Sequence, residues 1–136
     1  MDAMTIIEQY SFSKYADIIR NSNGEIKFSK VLSTELPDFG YVYLWLELDD
    51  HKKNIVYVGK AGKKMSNRCS QHEAGFKTSS PGKKHKQRIL EGMESKKTYS
   101  VYCRKAPIQM VLDEFVCMLS AEEEALIKKI NPQWNS

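Results

Sequence analysis

Residues 54–72 constrain the fold of this chain more than any other segment. Residues 55–58 are all β-branched or aromatic, which predicts a buried strand. Gly59 and Gly62 follow, and glycine lets a backbone turn or approach a ligand closely. The strand is therefore expected to end in a glycine-containing loop. That loop is cationic and carries Lys60, Lys63 and Lys64.

A short helix is predicted after this loop, over residues 66–74, with Ser66 as its N-cap. On such a helix Arg68 and His72 lie four residues apart and share one face. A strand end, a cationic loop and an arginine beside a histidine together favour the binding of a phosphate group.

Positive charge is concentrated in one part of the chain. The net charge is only +4, yet residues 51–88 hold 11 Lys/Arg and one acidic residue. Within that part, residues 77–88 carry five cationic side chains and no acid, which is typical of a surface that contacts nucleic-acid backbone. A solvated helix face is the alternative. The residues expected to contact DNA here are Lys83, Lys84, Lys86 and Arg88.

The length of 136 residues and the hydrophobic content of 41% predict a single α+β domain over residues 1–136. No apolar run approaches the roughly 20 residues of a membrane span, and the first residues lack a signal-peptide pattern. A cytoplasmic protein without a membrane partner is expected. The three cysteines are widely spaced, which predicts reduced thiols and neither disulfides nor a zinc site.

Residue patterns predict the remaining elements. Residues 1–39 are expected to be an N-terminal extension, with helical turns over 3–21 and an edge strand over 25–33. The form of residues 108–119 is left open, with helix favoured. The other elements are a central strand at 40–48, its hairpin partner at 55–59, a helix at 79–97, a third strand at 98–105 and a helix at 120–131.

Short motifs in this order resemble those of the GIY-YIG nucleases, including the branch that contains several type II restriction endonucleases. The resemblance covers about residues 40–135, which we take as the nuclease core. The matching residues are Tyr41-Val42-Tyr43 for GIY, Tyr57-Val58-Gly59 for YIG, then Arg68, His72 and a closing segment from Glu123 to Asn135.

Two departures from the family pattern are visible. Tyr41 stands where the family has glycine, and the loop over residues 44–56 is longer than usual. Neither departure removes a chemical group. The resemblance implies a small three-stranded antiparallel sheet flanked by helices, in agreement with the elements predicted above.

The activity implied by the resemblance is a metal-dependent DNA endonuclease, with restriction-type cutting of duplex DNA as the favoured role. A repair or mobile-element nuclease and a nuclease toxin are alternatives within the fold, and a non-catalytic nucleic-acid-binding module is the alternative outside it. DNA is the expected partner. A homodimer is one way to cut both strands, and nothing in the sequence indicates an inhibitor or immunity protein.

Glu123 is the predicted metal ligand. One carboxylate can hold Mg²⁺, or another divalent cation such as Mn²⁺, while the ion keeps most of its waters. A structural alternative exists, because Ser120 and Glu123 have the spacing of a capping box. Glu122 and Glu124 are the candidates if the register differs by one residue.

The other candidates serve the phosphate. Arg68 offers a permanently charged planar fork, with a surface salt bridge as the alternative role. Tyr43 and Tyr57 lie on paired predicted strands, but a phenol with a pKa of about 10 is a poor base at neutral pH. His72 is therefore expected to accept the proton from Tyr43 or from water. The remaining expected contacts are Lys60 with a flanking phosphate, and Asn135 with the phosphate or the metal-bound carboxylate.

Overall fold

A five-stranded antiparallel sheet lies at the centre of the molecule, with helices on both faces. The computed structural model describes residues 2–31, 36 and 39–135. Its elements are α1 (Ala3–Gln9), β1 (Ser13–Arg20), β2 (Ile26–Lys30), β3 (Tyr41–Asp49), β4 (Lys52–Ala61), α2 (Met65–Thr78), α3 (Ser80–Glu94), β5 (Thr98–Lys105), β6 (Ile108–Val111), β7 (Glu114–Cys117), α4 (Leu119–Ile130) and a 3-10 turn (Gln133–Asn135).

The sheet has the strand order β2-β1-β5-β3-β4. The three predicted strands β5, β3 and β4 are adjacent, but the prediction of only three strands was wrong. The N-terminal extension adds β1 and β2, so the helical turns predicted over 3–21 are limited to α1. Hydrogen bonding of β1 to β5, across a large sequence separation, decides its form. The predicted edge strand is confirmed as β2, and residues 32 and 33 of that prediction lie outside the described residues.

Strand β3 is buried on both faces, as predicted. One face carries Tyr41, Tyr43 and Trp45 and packs against α2 and α3. The opposite face carries aliphatic side chains, which pack against α1 and α4. Because successive strand residues alternate between faces, β3 separates the two halves of the core.

Gly59 does not end its strand, contrary to expectation. Strand β4 continues to Ala61, and Gly59 lies opposite Tyr43 in the β3–β4 register. A Cβ at position 59 would overlap the Tyr43 hydroxyl and ring. The glycine is needed because the Tyr43 phenol lies directly over it.

The helix starts differ in part from those predicted. Ser79 caps α3 as expected, its hydroxyl accepting a hydrogen bond from the Gly82 N–H at 3.0 Å. The N-cap of α2 is Lys64, so the assignment of Ser66 was wrong. The N-cap of α4 is Met118, which excludes the capping box from Ser120. None of the helices in the described ranges is long and apolar enough to cross a membrane.

Residues 108–117 form a two-stranded hairpin, so the favoured helix at 108–119 was wrong. Its two-residue turn places Leu112 and Asp113 at positive φ, 50° and 66°, as in a type I′ hairpin turn. The apolar residues of this segment occur in the consecutive runs 110–112 and 115–117, a pattern that does not separate a strand from a helix.

Helices α2 and α3 pack so closely at Gly82 that an added Cβ would overlap the backbone carbonyl of Gly75. We expect Gly82→Ala to lower the free energy of unfolding by about 1–3 kcal/mol, because a backbone cannot move aside as a flexible side chain can. Urea denaturation measures the change.

Gly62→Ala is the matched control, since a Cβ there meets nothing within 4 Å and the φ of Gly62 is not positive. This variant should unfold at the wild-type urea concentration or slightly above it. Equal stability of the two alanine variants would contradict the close α2–α3 contact.

Candidate active site

A cleft of about 530 Å³ opens at the end of β4, between α2 and α4. We call it the β4–α4 cleft. Two stretches of the chain far apart in sequence, residues 57–71 and 119–123, supply the lining side chains, so only the folded chain assembles this surface. The lining residues are Tyr57, Lys60, Gly62, Arg68, Gln71, Leu119, Ser120 and Glu123.

Four of the predicted site residues meet in this cleft: Tyr57, Lys60, Arg68 and Glu123. Strand β4 supplies the first two, α2 supplies Arg68 and α4 supplies Glu123. Lys63 and Lys64 follow in the exposed loop and do not line it. The predicted set is thus brought together in part.

Tyr43 and His72 form a buried pair beneath the cleft. The Tyr43 hydroxyl lies 2.5 Å from His72 Nε2, and it also hydrogen-bonds with Tyr57 and Arg68. Tyr43 is 1% exposed and His72 8% exposed, so neither faces the cleft directly. Tyr57 connects the buried pair with the cleft, because it is the tyrosine that lines the cavity.

Burial sets the protonation of this pair. It lowers the pKa of His72 to about 3, helped by the positive charge of Arg68. Burial also raises the pKa of Tyr43 well above its ordinary value, and the neighbouring Tyr57 adds to this effect. At neutral pH the Tyr43 O–H is therefore intact and the imidazole is neutral, and the tautomer with an unprotonated Nε2 accepts from this hydroxyl.

Arg68 lines the cleft, and its guanidinium group contacts polar side chains that carry no charge. Its Nη1 donates to Gln71 Oε1 at 3.2 Å, and its second contact is the Tyr43 hydroxyl. Neither partner is a carboxylate. The guanidinium keeps donor capacity for an anion in the cleft.

The three consecutive glutamates of α4 have different surroundings. Glu122 lies 2.9 Å from Arg104 Nη2, and Glu124 is exposed and pairs with Lys128. Glu123 alone of the three lines the cleft. Lys60 Nζ lies 4.0 Å from Glu123 Oε1 and donates to Ser120 Oγ at 3.0 Å. Lys60 therefore places a positive charge next to the Glu123 carboxylate.

The donor set of the cleft suits a hard cation that keeps most of its own waters. Among the described residues no group of three or more His, Cys, Asp or Glu side chains could hold a metal ion together. Glu123 supplies one carboxylate at an open surface. Magnesium is bound in this way in proteins, by one or two carboxylates, waters and substrate phosphates.

A second cavity, of about 500 Å³, lies on the other side of Tyr57, and we call it the α3 pocket. Lys84 and Arg88 line it, because residues about one turn apart share a face of a helix. Lys83 and Lys86 project from the opposite side of α3 and do not line the pocket. The lining residues are Tyr57, Ser80, Pro81, Lys84, His85, Arg88, Trp134 and Asn135.

Asn135 is engaged with the backbone of β4. Its Oδ1 accepts from the Val58 N–H at 2.8 Å, and its Nδ2 donates to the Val58 carbonyl at 2.7 Å. This pairing holds the C-terminal segment, including the buried Trp134, against the strand that carries Tyr57. Asn135 thus supports the site from the free edge of β4, the outermost strand of the sheet.

Sequence reasoning did not identify His85 and Trp134 as site residues. Trp134 lies within the closing segment, and His85 lies within the basic run. Helical spacing could have identified the face of α3 that lines the pocket. Pro81, His85 and Arg88 recur at intervals of four and three residues, which places them on one face of a helix.

The chain shares its fold with known nucleases. It matches a point mutant of bacteriophage T4 EndoII with a TM-score of 0.73 and 20% sequence identity, over 100% of both chains. It matches the restriction endonuclease HPY188I in complex with product DNA with a TM-score of 0.53 and 15% identity, over 96% of this chain and 82% of the other. No protein-family model and no curated protein matches the sequence. At these identities the likeness concerns the fold.

The neutral state of His72 has a measurable consequence for stability. An unfolded chain binds this proton below its ordinary pKa of 6.5, whereas the folded chain binds it only near 3. Folding stability from this group therefore falls as the pH drops through that window. Glutamine does not titrate and can still accept a hydrogen bond from Tyr43. Between pH 6.5 and 4.5 we therefore expect the free energy of unfolding of His72→Gln to fall by about 2 kcal/mol less than that of the wild type.

Urea unfolding at several pH values measures this difference. Comparing the variant with the wild type at each pH removes the contribution of the other titrating groups. If the free energy of unfolding depended on pH in the same way for the two proteins, His72 would bind its proton at its ordinary pKa in the folded state.

Proposed function

We propose that this chain is a metal-dependent DNA endonuclease of the GIY-YIG type that makes restriction-type cuts in duplex DNA in the cytoplasm. One observation carries the proposal: a single cleft unites a phenol, an arginine and a carboxylate from β4, α2 and α4. The fold shared with two nucleases, one of them in complex with product DNA, supports it.

Arg68 is assigned to the scissile phosphate. Phosphodiester hydrolysis builds negative charge on the phosphoryl oxygens, and a preorganised cation at that position stabilises the transition state. The hydrogen bonds of Arg68 with Gln71 and Tyr43 hold its planar fork in place before DNA binds.

Glu123 is assigned to the divalent cation, together with substrate phosphate oxygens and water. When bound, Mg²⁺ or Mn²⁺ supplies positive charge to the leaving and phosphoryl oxygens. Lys60, 4.0 Å from the Glu123 carboxylate, orients that side chain in the absence of DNA.

Tyr57, Tyr43 and His72 are assigned to the proton of the attacking water. Tyr57 faces the cleft, and the Tyr43 hydroxyl links it with the neutral Nε2 of His72. A water at the Tyr57 hydroxyl can give its proton to that oxygen while each following hydroxyl passes its own proton on. His72 Nε2 is the final acceptor, and because its pKa in the free protein is about 3, the negative charge of the bound phosphate is needed to raise its basicity.

A second function is a nucleic-acid-binding module without catalysis. The same cationic surface favours it, because Arg68, Lys84 and Arg88 would serve binding as well as cutting. Repair, mobile-element and toxin roles share the chemistry proposed above and differ only in which DNA is cut. The presence of Glu123 and Arg68 in one cleft favours the catalytic function.

Glu123→Gln is the central test. Incubation with supercoiled plasmid and Mg²⁺ should yield cut DNA with the wild type and none with this variant, because an amide is a far poorer ligand for a hard cation. The melting temperature and the affinity for DNA should stay close to the wild-type values, since the side chain keeps its shape and Glu123 does not cap α4.

Glu124→Gln is the matched control, one residue away, exposed, and paired only with Lys128 in the described contacts. It should cut plasmid at the wild-type rate. An active Glu123→Gln protein would refute the assignment of the metal, and a wild type that binds plasmid but never cuts it would favour the binding module.

A further inference from the structure

The α3 pocket contains two polar atoms with no partner among the described residues. Arg88 Nη1 and His85 Nδ1 are both buried and accept or donate no hydrogen bond there. Buried polar atoms are nearly always hydrogen-bonded, so each such atom calls for a partner. The guanidinium of Arg88 lies over the Trp134 ring, 5.9 Å from its centre, and this cation–π contact favours the observed orientation.

The chemistry of the pocket selects an anion. Lys84 and Arg88 are its charged lining residues, and no carboxylate lines it within the part of the chain that the structure describes. The first turn of α3, with Ser80 and Pro81, adds the positive end of the helix dipole. An oxyanion in the pocket can accept from the guanidinium of Arg88 and attract the ammonium group of Lys84.

The position of the pocket indicates which anion. Tyr57 lines both this pocket and the β4–α4 cleft, and its ring centre is 4.9 Å from that of His85. A DNA strand carries one phosphate for every nucleotide, about 3.4 Å apart along the helix axis. A strand with its scissile phosphate at Arg68 places a neighbouring phosphate within one or two nucleotides of the far side of Tyr57.

We propose that the α3 pocket binds a backbone phosphate next to the scissile one, through Arg88 and Lys84, and so sets the register of the DNA strand across Tyr57. The assignment rests on the proposed nuclease function. His85 contributes its neutral ring, since burial lowers its pKa from the ordinary value.

The wild-type protein is first used to map a cleavage position in DNA. Short duplexes that contain this position are then made, each with one backbone phosphate replaced by a neutral methylphosphonate. Affinity is measured by fluorescence anisotropy without divalent cation, so that the DNA stays intact. For the wild type, one linkage adjacent to the scissile phosphate should weaken binding about ten- to a hundredfold, the value of a hydrogen bond to a charged group.

The double variant Lys84→Ala/Arg88→Gln should bind the natural duplex and that neutral duplex equally, since the lost contact is the same one. The matched double variant Lys83→Ala/Lys86→Ala removes two cations from the opposite side of α3 and should keep the full sensitivity. A Lys84/Arg88 variant that remains sensitive would overturn the pocket assignment. A wild type that cuts no DNA would instead overturn the proposed function.

A second inference rests on a different part of the surface, the hairpin over residues 108–117. All eight of its strand residues are exposed, and six large apolar side chains are among the exposed residues of the hairpin. Leu112 at its tip is 93% exposed at a positive φ that leucine rarely adopts. The six are Ile108, Met110, Val111, Leu112, Phe115 and Val116.

The size of this surface matches a protein interface. If a fully exposed large side chain has roughly 200 Å², these six expose on the order of 700 Å² of apolar surface. A stable interface buries about 800 Å² on each partner. An isolated two-stranded hairpin is also marginally stable in water, and it gains stability when another surface covers it.

The charges of the hairpin disfavour DNA as the covering surface. Its ionisable side chains Asp113 and Glu114 are both acidic and lie at the turn. A second copy fits, because a two-fold axis places the same apolar surface and the same strand edges opposite each other. Duplex DNA likewise presents two antiparallel strands, each requiring one cleft.

We infer that the hairpin joins two copies of this chain into a dimer. The dimer itself is argued from the exposed apolar surface, and only its role in cutting both DNA strands rests on the proposed function. The hairpin connects directly to α4, since the Met118 N–H donates to the Pro107 carbonyl at 2.9 Å. Pairing at the hairpin therefore fixes the distance between two clefts.

Sedimentation analysis of the wild type should give twice the chain mass of 15.7 kDa. The variant Leu112→Asn/Phe115→Thr should sediment as a monomer, with the hairpin intact because Asn favours positive φ and Thr favours strands. The control Ile19→Thr changes an apolar residue of β1 that is 41% exposed and should remain dimeric.

On supercoiled plasmid the wild type should produce linear DNA directly, whereas the monomeric variant should accumulate nicked circles. A wild type that is monomeric at every concentration would overturn the dimer. So would a variant that keeps the dimer mass while losing affinity for DNA, since the hairpin would then contact DNA.

Discussion

The cross-strand pair of Tyr43 and Gly59 is the contact on which the site depends. Only a residue without a Cβ leaves room at position 59 for the phenol of Tyr43, which lies across β4. From there its hydroxyl reaches His72 and hydrogen-bonds with Tyr57 and Arg68. A strand, its hairpin partner and a helix are thereby joined at one oxygen atom, and a side chain at position 59 would separate them.

Burial of this pair determines its chemistry as well as its position. Trp45 and Phe76 pack against His72, with ring centres 5.0 and 6.4 Å from the imidazole. These rings exclude water, and a charged imidazole would lose its hydration there without gaining a carboxylate partner. The same packing that fixes α2 on the sheet therefore keeps His72 neutral and keeps Tyr43 a hydrogen-bond donor.

Helical geometry decides which members of each charged group can take part in the site. Successive residues of a helix point about 100° apart, so the three glutamates of α4 face Arg104, the cleft and solvent in turn. The basic residues of α3 divide in the same way, and two of the four predicted DNA contacts line a pocket. A run of like charges in a sequence thus contains a much smaller functional set.

The three core strands, the face pattern of β3 and the start of α3 were predicted correctly from the residue pattern, because alternation and capping are local rules that act over a few residues. The family resemblance supplied the candidate site residues, four of which share one cleft. The form of residues 13–20 and 108–117 could not be predicted in this way, because pairing with β5 and with a neighbouring strand overrides local preference there. The residue pattern also gave no information on the different surroundings of the three glutamates of α4, the burial that neutralises His72, or the position of Tyr57 between two cavities. Each of these depends on side chains that are distant in sequence and meet only when the sheet is complete.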